Sequence, residues 1–281
     1  MRSSLEGLSV GDAFGQRFFS EAVIDEHLAS RTLPPGPWRW TDDTNMALSI
    51  VEVLTTYGTV DQDALARSFG EHYEPAREYG YAMHELLPLY SVGADWRPEA
   101  PKLFGGSGSY GNGAAMRVAP LGAFFADDLA RAAEEANKSA VVTHAHPEGA
   151  AGAIAVAVAS ASAATGAGAD ILIESVIEHT PESEVRDRLE RINRIRPESS
   201  LSYVATLLGN GSRITAQDTV AFTIWVAAQH LEDFAAALWL TAEAHGDVDT
   251  TCAIVGGIVG ARVGVEGIPA GWRNRREPLP D

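Results

Sequence analysis

The run from Gly149 to Ala169 constrains the fold most, because it consists almost entirely of alanine, glycine, valine and serine. A surface helix needs a polar face opposite its apolar stripe, and a membrane span needs the leucine and phenylalanine content that this run lacks. It reads as an interior helix that neighbours approach closely. Two further stretches have the same character. One is Thr251-Cys252-Ala253-Ile254-Val255-Gly256-Gly257, and the other is Gly7 to Gly15, with glycines at four-residue spacing. Elsewhere the apolar residues also advance in helical steps, as in Leu65 and Phe69, then Ala76, Tyr79, Met83, Leu86 and Leu87, and again Val185, Leu189 and Ile192. Strand-like alternation is nearly absent. The 281 residues suffice for one large domain, and no linker or internal repeat divides them. The expected fold is all-α: a single compact multi-helix domain over 1–281, with 268–281 a surface tail rich in proline and arginine. Loops are expected at Pro34-Pro35-Gly36-Pro37, as part of a cleft wall, and across the irregular interval from Ser91 to Ser109. Pro147 is placed as a first helical residue.

Aspartate and glutamate number 38 against 21 lysines and arginines, a net charge of −17. That balance argues against non-specific binding to nucleic acid or anionic membranes. An anionic ligand would have to be held by backbone amides, helix ends or metal ions. Cys252 is the only cysteine, which excludes an intrachain disulfide, and it reads as a small core residue. The first residues, Met1 to Glu6, have no signal-peptide character, so a soluble, cytoplasmic protein is expected. Nothing in the sequence sets the oligomeric state.

Two acidic clusters stand before apolar runs: Thr41-Asp42-Asp43-Thr44 and Gly246-Asp247-Val248-Asp249-Thr250. Acids at a helix start are locally favourable, because the first N–H groups are unpaired and carry positive partial charge. Each cluster alone fits that bland role as well as a functional one. If the two starts face each other, four carboxylates converge and their repulsion calls for a cation. Aspartate and threonine oxygens suit hard ions such as Mg²⁺ or Mn²⁺.

Gly105 to Gly113, with the sequence GGSGSYGNG, is a glycine-rich loop of the kind that exposes N–H groups to a phosphate. It is neither a Walker loop nor a dinucleotide-binding fingerprint. Glycine content alone would leave it a surface loop, but Tyr110 and Asn112 offer a stacking ring and an amide to a nucleotide-like ligand. In Thr143-His144-Ala145-His146-Pro147 the two histidines lack a third zinc partner, so hydrogen bonding to ligand or loop is the preferred role. His245 reads as a turn residue.

In this order the motifs resemble the ADP-ribosylglycohydrolase family, which includes the dinitrogenase-reductase-activating glycohydrolase and the ADP-ribosyl-acceptor hydrolases. The resemblance rests on Gly11-Asp12-Ala13-Phe14-Gly15, the two acidic clusters, Gly111-Asn112-Gly113-Ala114-Ala115-Met116-Arg117, and the segment from Thr143 to Gly149. It implies an all-helical hydrolase with two Mg²⁺ or Mn²⁺ ions, held by Thr41, Asp42, Asp43, Asp247, Asp249 and Thr250. It further implies that Gly108, Ser109, Tyr110, Gly111, Asn112 and Gly113 take the diphosphate and adenosine of ADP-ribose, with Tyr110 near adenine and His144 near the phosphates. Asp43 and Asp249 would act at the reacting centre, where water attacks the anomeric carbon of the distal ribose. The substrate implied is ADP-ribose carried on an acceptor.

The chain departs from the family pattern where a glutamate usually follows the first motif. Phe19 stands there, and Glu21 lies two residues further on as the replacement acid. Phenylalanine transfers no proton. That leaves two rivals in view: hydrolysis of a small derivative, either ADP-ribose-1″-phosphate, whose loss of phosphate needs less acid help, or O-acetyl-ADP-ribose, and a non-catalytic ADP-ribose binder.

Overall fold

The computed structural model describes residues 1–19 and 27–280. Its helices begin with α1 (Arg2–Gly15), α2 (Asp42–Tyr57), α3 (Gln62–Glu71), α4 (Tyr81–Ser91) and α5 (Trp96–Gly106). The middle of the chain holds α6 (Gly113–Met116), α7 (Ala119–Phe124), α8 (Leu129–Val141), α9 (Pro147–Ala164) and α10 (Ala169–His179). Then come α11 (Glu184–Glu190), α12 (Leu201–Leu208), α13 (Ala216–Gln229), α14 (Phe234–Glu243), α15 (Val248–Gly267) and α16 (Ala270–Arg273). No strand occurs among the described residues, only the isolated bridges Trp38 to Arg276 and Gly111 to Thr215.

The small-residue helices form the centre. Residues Gly149 to Ala163 of α9 are buried on every side, and α7, α8, α10, α13 and α15 pack around them. Helices α9 and α15 are long and apolar enough to cross a membrane, but 83% and 67% of these spans are buried inside the molecule. They are core helices. The glycines of α1 explain its position. A Cβ on Gly11 would stand 2.1 Å from the carbonyl oxygen of Cys252, and one on Gly15 would stand 2.4 Å from that of Val248. No side chain fits there, so α1 and α15 run antiparallel with their backbones nearly touching. This contact brings the end of α1, with Asp12, to the start of α15, with Asp247 and Asp249.

The structure corrects three expectations. Helix α5 lies within the interval expected to be irregular. Asp95 accepts the N–H of Arg97 as its N-cap, and Pro98 falls in the first turn, where a missing N–H removes no helical bond. Only its end is irregular: Phe104 and Gly105 adopt positive φ of 53° and 69°. The tail, expected on the surface, keeps Pro278 and Pro280 exposed but is anchored by buried Ile268 and Trp272 and by a 2.8 Å ion pair from Arg77 to Glu277. Trp272 joins Phe14, Trp38 and Trp239 in an aromatic cluster. The Pro34–Pro37 loop packs against that tail, with Trp38 N–H donating to the Arg275 carbonyl over 2.6 Å, and none of its residues lines the cavity at the starts of α2 and α15. Trp38, Trp40 and Cys252 are buried, as expected of core residues.

Candidate functional site

Half of the α-helices named above begin on a side-chain cap. Asp61, Asp128, Ser183, Ser200, Thr215 and Asp233 each accept an N–H from their own first turn. The N-cap residues of α2 and α15, Thr41 and Asp247, make no such bond. The acids at these two starts are therefore not explained by capping.

Asp12 holds the start of α2 in place. Its carboxylate accepts the N–H of Thr41 over 2.9 Å and that of Thr44 over 3.1 Å, with both threonine hydroxyls also donating. Burial raises its pKa to about 6, although those four donors favour the charged form. Asp42 and Asp43 follow on the same turn. Burial pushes both well above the usual carboxylate range, and neighbouring carboxylates push further: Asp12 and Asp247 on Asp42, and Asp12, Asp249, Asp42 and Asp247 on Asp43. Asp249 is likewise raised by burial and then by Asp247, Asp12 and Asp42, while Asp247 is raised by burial. The two helix starts thus face each other, and their carboxylates repel across the gap.

Asp42, Asp43, Asp247, Asp249 and Thr250 share the wall of one cavity of about 440 Å³. Ser109, Tyr110, Gly111, Asn112, Gly113 and His144 line the same cavity. Asn112 joins the loop to the acids, its amide donating to Asp247 over 2.7 Å and to the Thr219 hydroxyl over 3.1 Å. Gly108 and Thr41 are close behind the wall rather than on it; Thr41 contacts Asp43 Oδ2 over 3.0 Å. Glu21 lies outside the described residues. Phe19 is 53% exposed and does not line the cavity. The second histidine of the pair, His146, caps α9 by accepting the Glu148 N–H, which disposes of a zinc pair. His245, at φ 56°, is a turn residue outside the cavity.

Several lining residues had no distinct signal in the sequence. Phe104 is 60% exposed, and its ring lies 6.4 Å from that of Tyr110 with a 30° tilt, making a two-ring mouth. Glu78 is held by the Gln16 amide over 2.7 Å and adopts a positive φ of 65°. Arg213 and Ile214 arrive on the loop before α13, Ile214 at a φ of 55° that is uncommon for a β-branched residue. Glycine and proline clustering marks such loops in a sequence, but which loops meet at one cavity depends on packing.

The donor set has the chemistry of a divalent-ion site. The oxygens are hard donors of the kind Mg²⁺ and Mn²⁺ take. Asp43 Oδ1 is buried without a hydrogen-bond partner among the described residues. Against this, no three His, Cys, Asp or Glu side chains among the described residues stand in ligating positions as they are. Asp247 turns to Asn112 and Asp249 Oδ1 to its neighbour's N–H. The chemistry and electrostatics fit a cation, and holding one requires side-chain rotation.

The ADP-ribosylglycohydrolase family model matches residues 1–279. The chain belongs to the ADP-ribosylglycohydrolase family. ADP-ribosylhydrolase ARH3 of Gallus gallus is 28% identical, over 98% of this chain and 88% of that protein. ADP-ribosylarginine hydrolase Tri1 of Serratia proteamaculans is 24% identical, over 98% of this chain and 74% of that protein. A solved structure titled ADP-ribosylglycohydrolase-related protein complex superimposes with a TM-score of 0.70 at 27% identity, covering 96% of this chain and 89% of that one. This ADP-ribosylglycohydrolase is a hydrolase with the all-helical fold of its relatives.

Proposed function

We propose that this chain cleaves the bond at the anomeric carbon of the distal ribose of ADP-ribose, releasing ADP-ribose from a modified acceptor with two divalent ions, Mg²⁺ or Mn²⁺. One observation carries the reading. Carboxylates from two separate helix starts share a single cavity with a loop that offers an aromatic ring, an amide and a histidine. The names of both relatives, ADP-ribosylhydrolase and ADP-ribosylarginine hydrolase, support the class of bond.

Thr41, Asp42, Asp43, Asp247, Asp249 and Thr250 would hold the ions, which when bound neutralise the carboxylates, orient the ribose hydroxyls and acidify a water. Tyr110 and Phe104 flank the adenine, while the Gly111–Gly113 backbone and His144 receive the diphosphate. Asp43 Oδ1, without a hydrogen-bond partner among the described residues, accepts the proton of the attacking water, with Asp249 facing it across the gap. The new C–O bond forms at the anomeric carbon as the bond to the acceptor breaks, and the acceptor leaves with the electron pair. Protonation of that leaving group falls to Glu21 or to Glu78, a cavity carboxylate outside the two acidic clusters.

The test is turnover of a panel with and without Mg²⁺ or Mn²⁺: arginine-, serine- and nucleic-acid-linked ADP-ribose, ADP-ribose-1″-phosphate and O-acetyl-ADP-ribose. Metal-dependent hydrolysis of a linked substrate is expected. Turnover confined to the phosphate or acetyl ester would replace the acceptor reading, and calorimetric ADP-ribose binding without any turnover would make the chain a binder. Glu21→Gln and Glu78→Gln, assayed on the cleaved substrate, assign the acid to whichever variant loses rate.

A further inference from the structure

His144 is 4% exposed, yet its Nε2 has no protein partner among the hydrogen bonds of the described residues, and the side chain forms part of the cavity wall. The other ring nitrogen is fully committed. Nδ1 lies 2.8 Å from the Thr143 hydroxyl oxygen, and Arg117 Nη2 donates to that same oxygen over 2.9 Å. A guanidinium is only a donor, so Thr143 Oγ1 accepts from Arg117. Thr143 is fully buried, and its hydroxyl has no further partner among the described residues. Its single proton has one acceptor within reach, His144 Nδ1. Were Nδ1 itself protonated, two donors would point at Oγ1 and the hydroxyl proton would be buried with nothing to receive it.

Arg117 is fixed behind this pair. Its Nη2 also donates to the Ser139 carbonyl over 3.0 Å, and the guanidinium sits 4.5 Å from the Phe69 ring centroid. It has no ion-pair partner among the described residues, so its charge acts on its neighbours. Burial and that charge hold His144 down to about 3, which keeps the ring neutral at ordinary pH. On the cavity side, glycine leaves the ring uncovered: a Cβ on Gly113 would stand 2.8 Å from Nε2.

We propose that Arg117 and Thr143 are positioning residues that lock His144 in the neutral Nε2–H tautomer, making it a fixed donor to a proton-free, phosphoryl-type oxygen in the cavity. His144 then orients its ligand and takes no proton at Nε2. The lock is a property of the protein alone; only the identity of the oxygen, as part of the ADP-ribose diphosphate, rests on the proposed function.

The experiment is a long-range ¹⁵N–¹H spectrum of the histidine rings in the ligand-free protein, with His144 assigned by His144→Gln, followed by calorimetric titration with ADP-ribose. The expected wild-type spectrum has a bare Nδ1 and a protonated Nε2. Thr143→Val should mix the tautomers and weaken ADP-ribose binding about 10-fold, the scale of one buried hydrogen bond, and Thr143→Ser should restore both. A protonated Nδ1 in the wild-type protein overturns the lock, as does a Thr143→Val protein with unchanged tautomer and affinity. A locked wild-type ring in a protein that fails to bind ADP-ribose would leave the lock standing and remove the ligand assignment.

Discussion

Asp61 and Asp247 occupy the same formal position, one residue before a helix, and do different things. Asp61 accepts the Ala64 N–H over 2.8 Å and so caps α3. The Asp247 carboxylate makes no capping bond to a backbone N–H of α15 and instead accepts from Asn112 at the cavity wall. Asp61→Ala is therefore expected to lower stability by about 1 kcal/mol and leave turnover unchanged. Asp247→Ala should abolish turnover while leaving the helical circular dichroism intact. Denaturant melts and the substrate assay, run on both variants, check the contrast; full activity in Asp247→Ala would remove the two-metal mechanism. Tyr110 makes a different kind of contact. Its ring is 41% exposed at the cavity mouth beside Phe104, so Tyr110→Ala should cost about 1 kcal/mol of ADP-ribose affinity through lost stacking. Unchanged calorimetric affinity would place the adenine elsewhere.

The pairing of α1 with α15 is the element on which the site depends. It is made by glycine on both sides, since a Cβ on Gly256 would in turn stand 2.3 Å from the Gly7 carbonyl oxygen. The obstructing atoms are backbone carbonyls, which cannot swing aside as a side chain would. Gly11→Ala should destabilise the fold by about 3 kcal/mol, the upper range for overpacking. Gly80→Ala is the control, with nothing within 4 Å of the added Cβ. Equal melting temperatures for the two variants would mean that the helices can separate at no cost. A shift of α1 would also move Asp12, whose carboxylate carries the start of α2, so activity should fall with stability in Gly11→Ala.

At the scale of the whole molecule, five buried carboxylates are held above their ordinary pKa: Asp12, at about 6, with Asp42, Asp43, Asp247 and Asp249. An acid raised by folding favours the folded state when protonated, and that contribution is lost as pH rises through the folded value. His144 and His230, lowered by burial, pull the other way, but two groups do not outweigh five. In chelator, the melting temperature should therefore rise as pH falls from about 8 to about 5. Saturating Mg²⁺ or Mn²⁺ should raise it most at the alkaline end, where the carboxylates are charged. A scan in which neither pH nor metal moved the melting temperature would contradict the charge cluster.

The sequence by itself determined the helical class, because apolar steps such as Val185, Leu189 and Ile192 are local and face the interior as their spacing requires. It also determined the order of the family motifs, and with it the two acidic starts and the glycine-rich loop. Tertiary structure alone decided which oxygens meet. Asp12 looks like one acid in a glycine-rich helix until α1 lies on α15 and its carboxylate clamps Thr41 and Thr44. Phe104 reads as a loop residue until the end of α5 turns it beside Tyr110. Arg117 and Thr143 lie 26 positions apart, and only packing makes them set the proton on His144. Helical periodicity is written in neighbouring residues, whereas a cavity is formed by residues from distant helices, and no local pattern records that meeting.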